Sequence, residues 1–318
     1  MSAGHVRQES TAMTAFTTLA QLVAPLSLDV FLGEYYDRRP VHLPGSPERS
    51  RGLLTHDRLA DLLRQGDEAS GGVISFPLPV EGTTDDPVGA YMDAGYPVIL
   101  NAPHGASGEI DRICTDLGAA LQAHVWPNVY ATGTAGAPFN IHFDLHDVLV
   151  VQCEGVKEWR ISSLRADRPL DVPEMRGIFD VDDAMREQAL ASVDMTFTVK
   201  PGDVVYIPRG QFHMATTPSG RSLHVTFAIR SLSGYDLAQA LSRLALSDPG
   251  LRDYLPGLDP GAISEQTHDR LTEFKHRLKA LLDGPNLDQA LAEVRADLIA
   301  RSNGNRDAQA ETKPGNLN

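Results

Sequence analysis

TFTVKPGDVVYIPRGQFH, residues Thr196–His213, decides the fold class. Thr196-Phe197-Thr198-Val199 alternates, Pro201-Gly202-Asp203 is a turn, and Val204 to Pro208 is a second short apolar run. Short strands punctuated by Gly and Pro are the mark of an all-β region. Toward the C-terminus, Pro218-Ser219-Gly220 turns again, and Leu223, Val225, Phe227 and Ile229 share one face of a further strand. Toward the N-terminus, Val148 to Val151 is a continuous apolar run, suited to a strand buried on both faces. The pattern predicts short strands over residues 125–232 that close as a sandwich or barrel. A polar insertion at 163–194 interrupts them, with a short helix of its own.

Outside this region the periodicity becomes helical. Ser27-Leu28-Asp29 reads as a helix start, and Thr55 caps a helix carrying Leu59, Leu62 and Leu63. Residues 68–90 are rich in Gly, Pro, Asp and Thr and read as a long excursion. Pro97 to Asn101 has strand character, and Ile110 to His124 is apolar at helical spacing. After Ser231, helices are predicted over Tyr235 to Leu246, Ile263 to Leu282 and Leu287 to Ile299. Residues 303–318 have almost nothing to bury and read as a disordered tail. The chain is thus expected to be mainly β with flanking helices. Its parts are a mixed segment at 1–124 that completes the core, the β region at 125–232, a helical region at 233–302 and the tail.

Composition narrows the function. Among 318 residues, the two cysteines, Cys114 and Cys153, allow neither a disulfide framework nor a zinc-type spacing. A reducing, cytoplasmic setting fits, and no apolar run approaches a membrane span. A net charge of −14 argues against direct nucleic-acid binding, which needs a basic face. The same charge suits a basic protein or peptide partner, although acidic surfaces also serve solubility alone.

His142-Phe143-Asp144 carries the chemistry. Residues i and i+2 of an extended segment point the same way, so both side chains can reach one ion. With 11 histidines and 42 acidic residues, chance supplies about one or two His-x-Asp/Glu matches, so the pair means little by itself. A distal histidine, His213, follows Pro208-Arg209-Gly210 on another strand of the same region. Two imidazoles and one carboxylate with open positions form the facial triad of non-haem iron(II) oxygenases. Lys157 shares a strand face with Trp159 and Ile161, which is costly unless an anion pairs with its ammonium. The distal carboxylate of 2-oxoglutarate is such an anion; a snorkelling lysine is the bland alternative. His146 has the parity of the ligands but reads as their hydrogen-bonding neighbour. His224 and Thr226 lie opposite the Leu223/Val225/Phe227 face and so point into the barrel. Cys153 reads as packing.

Taken together, Asn128-Val-Tyr130, His142-Phe-Asp144, Asp147 to Gln152, Glu154-Gly155-Val-Lys157-Glu-Trp159-Arg160 and Pro201-Gly202-Asp203 through His213 resemble the JmjC oxygenases, in particular their ribosomal-oxygenase branch. The resemblance runs from about Ser27 to Ser231. It implies a double-stranded β-helix (jelly-roll, cupin) core. It makes His142, Asp144 and His213 the iron(II) ligands and Lys157 the partner of the 2-oxoglutarate C5 carboxylate. It also puts Asn128 and Tyr130 beside co-substrate and substrate; the strand parity of His224 adds it as a further pocket residue, with a satisfied interior histidine the equal alternative. The implied reaction hydroxylates a protein or peptide side chain, such as Arg or His of a ribosomal protein, consuming O2 and releasing succinate and CO2. The helices after Ser231 resemble a region that forms homodimers. Two other functions are compatible with the residues: tailoring of a peptide natural product or another small molecule, and a metal-binding cupin-like regulatory protein without turnover.

Overall fold

The computed structural model describes residues 18–65, 73–74, 86–101, 107–134, 140–172, 175, 180–254, 265–283 and 285–302. The tail at 303–318 and most of the 68–90 excursion lie outside the described residues. The chain forms two compact units, Met1–Leu117 with Val125–Ile229, and Gly118–His124 with Arg230–Asn318.

Ten strands are described: β1 (Val41–Leu43), β2 (Val73–Ile74), β3 (Val98–Asn101), β4 (Ala123–Gly133), β5 (Asp147–Glu154), β6 (Lys157–Arg165), β7 (Val193–Val199), β8 (Val204–Ile207), β9 (Gln211–Thr216) and β10 (Arg221–Ser231). They form a seven-stranded sheet in the order β1-β8-β5-β10-β4-β3-β2 and a three-stranded sheet in the order β7-β6-β9. Nearly every side chain of β5 is buried, as a continuous Val/Leu run in a central strand requires. On its inner face, Val148 and Val150 join Val205 and Ile207 of β8. These pack on Trp159 and Ile161 of β6 and Val199 of β7, so one apolar layer bridges the two sheets. This is the double-stranded β-helix expected from the sequence.

The Pro201-Gly202-Asp203 turn links β7 to β8. Asp203 holds it: its carboxylate accepts from the N–H groups of Lys200 (3.0 Å) and Gly45 (2.8 Å) and meets His42 Nε2 at 3.0 Å. Gly202 has φ +90°, and a Cβ there would run into the Ser46 carbonyl oxygen. Gly202→Ala is therefore expected to lose at least about 1 kcal/mol of stability, read as a lower urea midpoint at unchanged slope.

Several boundaries differ from the expectation. β6 runs to Arg165 and β7 begins at Val193, so the insertion is shorter than 163–194. The polar stretch stays in the sheet because Ser162 is buried and Arg165 pairs with Gln211 across β9. The helix inside the insertion, Asp183–Ala191, starts where Asp182 accepts from the Met185 N–H at 2.7 Å. The helix at Gly108–Leu121 stops before His124; Gln122, with φ +51°, breaks it, and β4 starts at Ala123. β1 and β2, three and two residues long, were too short to show a period. Thr55 caps His56–Gln65 as expected, accepting from the Arg58 N–H at 3.2 Å.

In the second unit, helices Gly234–Ala245, Glu265–Leu282 and Pro285–Ser302 pack through Ala240, Leu241, Leu281, Ala290, Val294 and Leu298. Phe274, Leu278 and Leu282 remain partly exposed along one stripe. No described helix is long and apolar enough to cross a membrane.

Candidate metal and co-substrate site

His142 and Asp144 lie in the irregular segment before β5, and His213 is the third residue of β9. What joins them is backbone pairing. The His142 N–H donates to the His213 carbonyl at 3.1 Å and the His213 N–H to the His142 carbonyl at 2.7 Å. An antiparallel pair that exchanges both bonds puts its two side chains on the same face. The Gly210 N–H then donates to the Asp144 carbonyl at 2.8 Å, which continues the pairing past the carboxylate. The ligand-type atoms of His142, Asp144 and His213 consequently lie within 4.8 Å of one another, with His213 Nε2 3.5 Å from Asp144 Oδ2. No other such group occurs among the described residues.

Each imidazole is prepared in the same way. His142 Nδ1 is 2.8 Å from the Asn140 carbonyl and His213 Nδ1 is 2.9 Å from that of Gln211. A carbonyl only accepts, so both Nδ1 atoms carry the proton and each Nε2 presents a lone pair. Burial, with His142 adding to it, pushes His213 down to about 4, so it is neutral at pH 7. Burial raises the Asp144 carboxyl, but His146, His213 and His142 lower it more, and it stays ionised. This donor set, two imidazoles and one carboxylate, fits a divalent transition-metal ion.

β4 supplies Asn128, Tyr130 and Thr132 at i, i+2 and i+4, a single face of the strand. Tyr130 stacks on His224 of β10 at 5.0 Å and 14°. Burial and the nearby Asp144 raise its phenol. Asn128 is buried on the same strand face. Lys157, 2 % exposed, donates from Nζ to Thr132 Oγ1 at 2.8 Å, and Thr132 Oγ1 meets Thr217 Oγ1 at 2.8 Å. No carboxylate of the described residues lies within ion-pairing distance of Lys157, and burial pushes its ammonium down to about 7. His224, 4 % exposed, keeps Nδ1 without a hydrogen-bond partner, and the indole N–H of Trp159 is equally unpartnered. Burial, with Lys157 adding to it, drives the imidazole of His224 far down. A buried cation and two orphaned polar atoms on one inner face are what an anionic ligand would satisfy.

The structure thus brings His142, Asp144 and His213 into one cluster, and places Lys157, Tyr130 and His224 along the same interior. His146 stays outside the triad: its nitrogens are not among the ligand atoms that lie within 4.8 Å of one another, and its ring stands edge-to-face with Trp126 at 4.9 Å. Cys153 is buried, with its thiol pushed up to about 12, as a packing residue should be. The sequence reading missed Thr132 and Thr217. Thr132 was within reach, having the parity of Asn128 and Tyr130; Thr217 was not, because only the fold brings it to Thr132.

Residues 103–237 match the JmjC domain. The chain is 25% identical over 313 residues to a bifunctional lysine-specific demethylase and histidyl-hydroxylase NO66 of Drosophila persimilis, covering 92% of this chain and 44% of the relative. It is 26% identical over 311 residues to ribosomal oxygenase 1 of Gallus gallus, covering 90% and 51%. It spans about half the length of these relatives. Among solved structures, YcfD, a ribosomal oxygenase from Escherichia coli in complex with cobalt and 2-oxoglutarate, is similar with a TM-score of 0.53. That match has 16% identity and covers 86% of this chain and 71% of that one. The chain therefore carries a JmjC-domain match over residues 103–237, has a double-stranded β-helix fold like that solved structure, and is similar in sequence to the ribosomal oxygenases.

Proposed function

We propose that the protein is an iron(II)- and 2-oxoglutarate-dependent oxygenase that hydroxylates a protein or peptide side chain. The observation that carries this reading is the pairing of the His142/Asp144/His213 cluster with Lys157, a buried ammonium that no described carboxylate pairs with. His142, Asp144 and His213 would hold the metal through two Nε2 atoms and a carboxylate oxygen. Lys157, with Thr132, would bind the far carboxylate of the co-substrate, and Tyr130, Asn128 and His224 would line the pocket. Iron(II) with bound 2-oxoglutarate supplies dioxygen activation, coupled to decarboxylation of the co-substrate to succinate and CO2. The chain's own part is orientation and the exclusion of water. Trp159, beside His213 and His224, belongs with Val148 and Val150 to one buried apolar cluster, and the carbonyl-bound Nδ1 protons fix the imidazole planes.

For the substrate we infer a basic side chain, Arg or His, of a ribosomal protein. The names of the relatives and the net charge of −14 support that choice. The Phe274/Leu278/Leu282 stripe supports a homodimer through the C-terminal helices. Anaerobically purified protein given iron(II), 2-oxoglutarate and oxygen is expected to release succinate slowly without substrate. Metal binding with no succinate under any condition would support the regulatory-protein alternative instead. Mass spectrometry of ribosomal proteins from a deletion strain should show the loss of one added oxygen. An unchanged spectrum would turn the search to peptide natural products and small molecules.

A further inference from the structure

A buried clasp fastens the two ligand-bearing segments together from outside the triad. Asp147, 4 % exposed, opens β5 three residues after Asp144. Its Oδ1 accepts from the Tyr206 hydroxyl at 3.1 Å and from the Arg209 N–H at 2.9 Å. The Tyr206 oxygen in turn accepts from the Asp37 N–H at 2.7 Å, while its ring packs edge-on against Phe31 at 5.0 Å. Arg165 closes the outer side, donating from Nε to the Arg209 carbonyl and from Nη2 to Asp37 Oδ1, both at 2.9 Å. The turn gripped in this way is Pro208-Arg209-Gly210. Its Gly210 N–H bonds the Asp144 carbonyl, and it delivers His213 three residues later.

We propose that Asp147 is a positioning residue for the metal triad: by bonding the Arg209 N–H and the Tyr206 hydroxyl, it sets the spacing between the His142–Asp144 segment and the strand that carries His213. The inference rests on reading His142, Asp144 and His213 as metal ligands. Its physical basis is tolerance, because a metal site works only when its ligands are held to within about 0.5 Å. Without Asp147, the Arg209 N–H loses its acceptor in a buried turn, and the turn must shift to find another. That shift moves Gly210 and His213 relative to Asp144. Asparagine keeps an oxygen at the same place and can accept both bonds; alanine cannot.

The test is a cobalt(II) titration of the full chain, read by calorimetry and by the visible absorption of the bound ion. Asp147→Ala is expected to lose roughly 10–100-fold in cobalt(II) affinity with a changed band shape, the usual cost of removing support behind metal ligands. Asp147→Asn should restore most of it. Tyr206→Phe keeps the ring packing and removes the hydroxyl's two bonds, to Asp147 and from the Asp37 N–H, of which the first belongs to the clasp on Asp147, for an expected loss of about three- to tenfold. It carries the test if the alanine variant does not fold. A purely structural role predicts lower unfolding midpoints with cobalt(II) affinity and band shape unchanged in the folded variants. That result, or an asparagine variant as impaired as alanine, overturns the proposal. If the wild-type chain itself binds no cobalt(II), the metal reading fails and takes this inference with it. Normal wild-type binding with indifferent variants sinks the inference alone.

Discussion

His213→Ala is expected to abolish succinate formation and to weaken metal binding by more than about 100-fold, beyond the usual cost of losing a supporting group. The geometry says why no neighbour can substitute. His142 and Asp144 would be left as a two-point site on one segment, with nothing from β9 to close it. His146 is a neighbour of Asp144, but its nitrogens lie outside the group of ligand atoms within 4.8 Å of one another, and its ring stands edge-to-face with Trp126. The fold should survive, since the reciprocal His142–His213 bonds are made by the backbone and persist with alanine. The measurement is calorimetric titration with iron(II) or cobalt(II) under nitrogen, beside circular dichroism to confirm folding. His146→Ala in the same assay should retain binding. Full metal affinity in His213→Ala would remove His213 from the ligand set and reopen the place of His146.

The site was more legible in the sequence than the scaffold around it, for a physical reason. Strand parity fixes which way a side chain points as soon as the strand is recognised. Lys157 with Trp159 and Ile161 could therefore be assigned to a common face without coordinates, and the i, i+2 spacing paired His142 with Asp144 although their segment is extended chain outside any regular strand. The same rule placed His224 opposite Leu223 and Val225, where it stacks on Tyr130. Contacts made through backbone pairing between distant segments left no such trace. Nothing in the sequence tells that His142 exchanges hydrogen bonds with His213, or that Thr217 approaches Thr132, because those registers follow from the closed sheet. The two-residue β2 and three-residue β1 were invisible because a period needs more positions than they have. Ser162 to Arg165 misled through composition: polar residues extend a strand when their backbones have partners, and here β9 supplies one.

Lys157→Met is expected to raise the 2-oxoglutarate requirement by about 30-fold to several thousand-fold, the range for truncating one partner of a buried charge pair. It should also stabilise the ligand-free protein. In that state the buried ammonium is held by one hydroxyl, Thr132 Oγ1, and methionine fills nearly the same volume without the charge. The pH dependence separates this role from simple packing. Burial lowers Lys157 from 10.5 to about 7, so between those values the unfolded chain holds a proton that the folded chain has released. Stability then rises with pH from about 7 to about 10.5 through this group, which contributes no slope below 7. Binding of a dianion runs the other way, because it needs the ammonium. Wild-type affinity for 2-oxoglutarate should be level below pH 7 and fall by up to about tenfold per pH unit above it, as the free lysine must first regain its proton. In Lys157→Met both slopes should vanish together. Calorimetric titration of 2-oxoglutarate into the metal-loaded protein between pH 6 and 9, beside urea unfolding of the ligand-free protein over the same range, reads both. A pH-dependent affinity that survives in the methionine variant would assign the proton to another group and remove Lys157 from the co-substrate site.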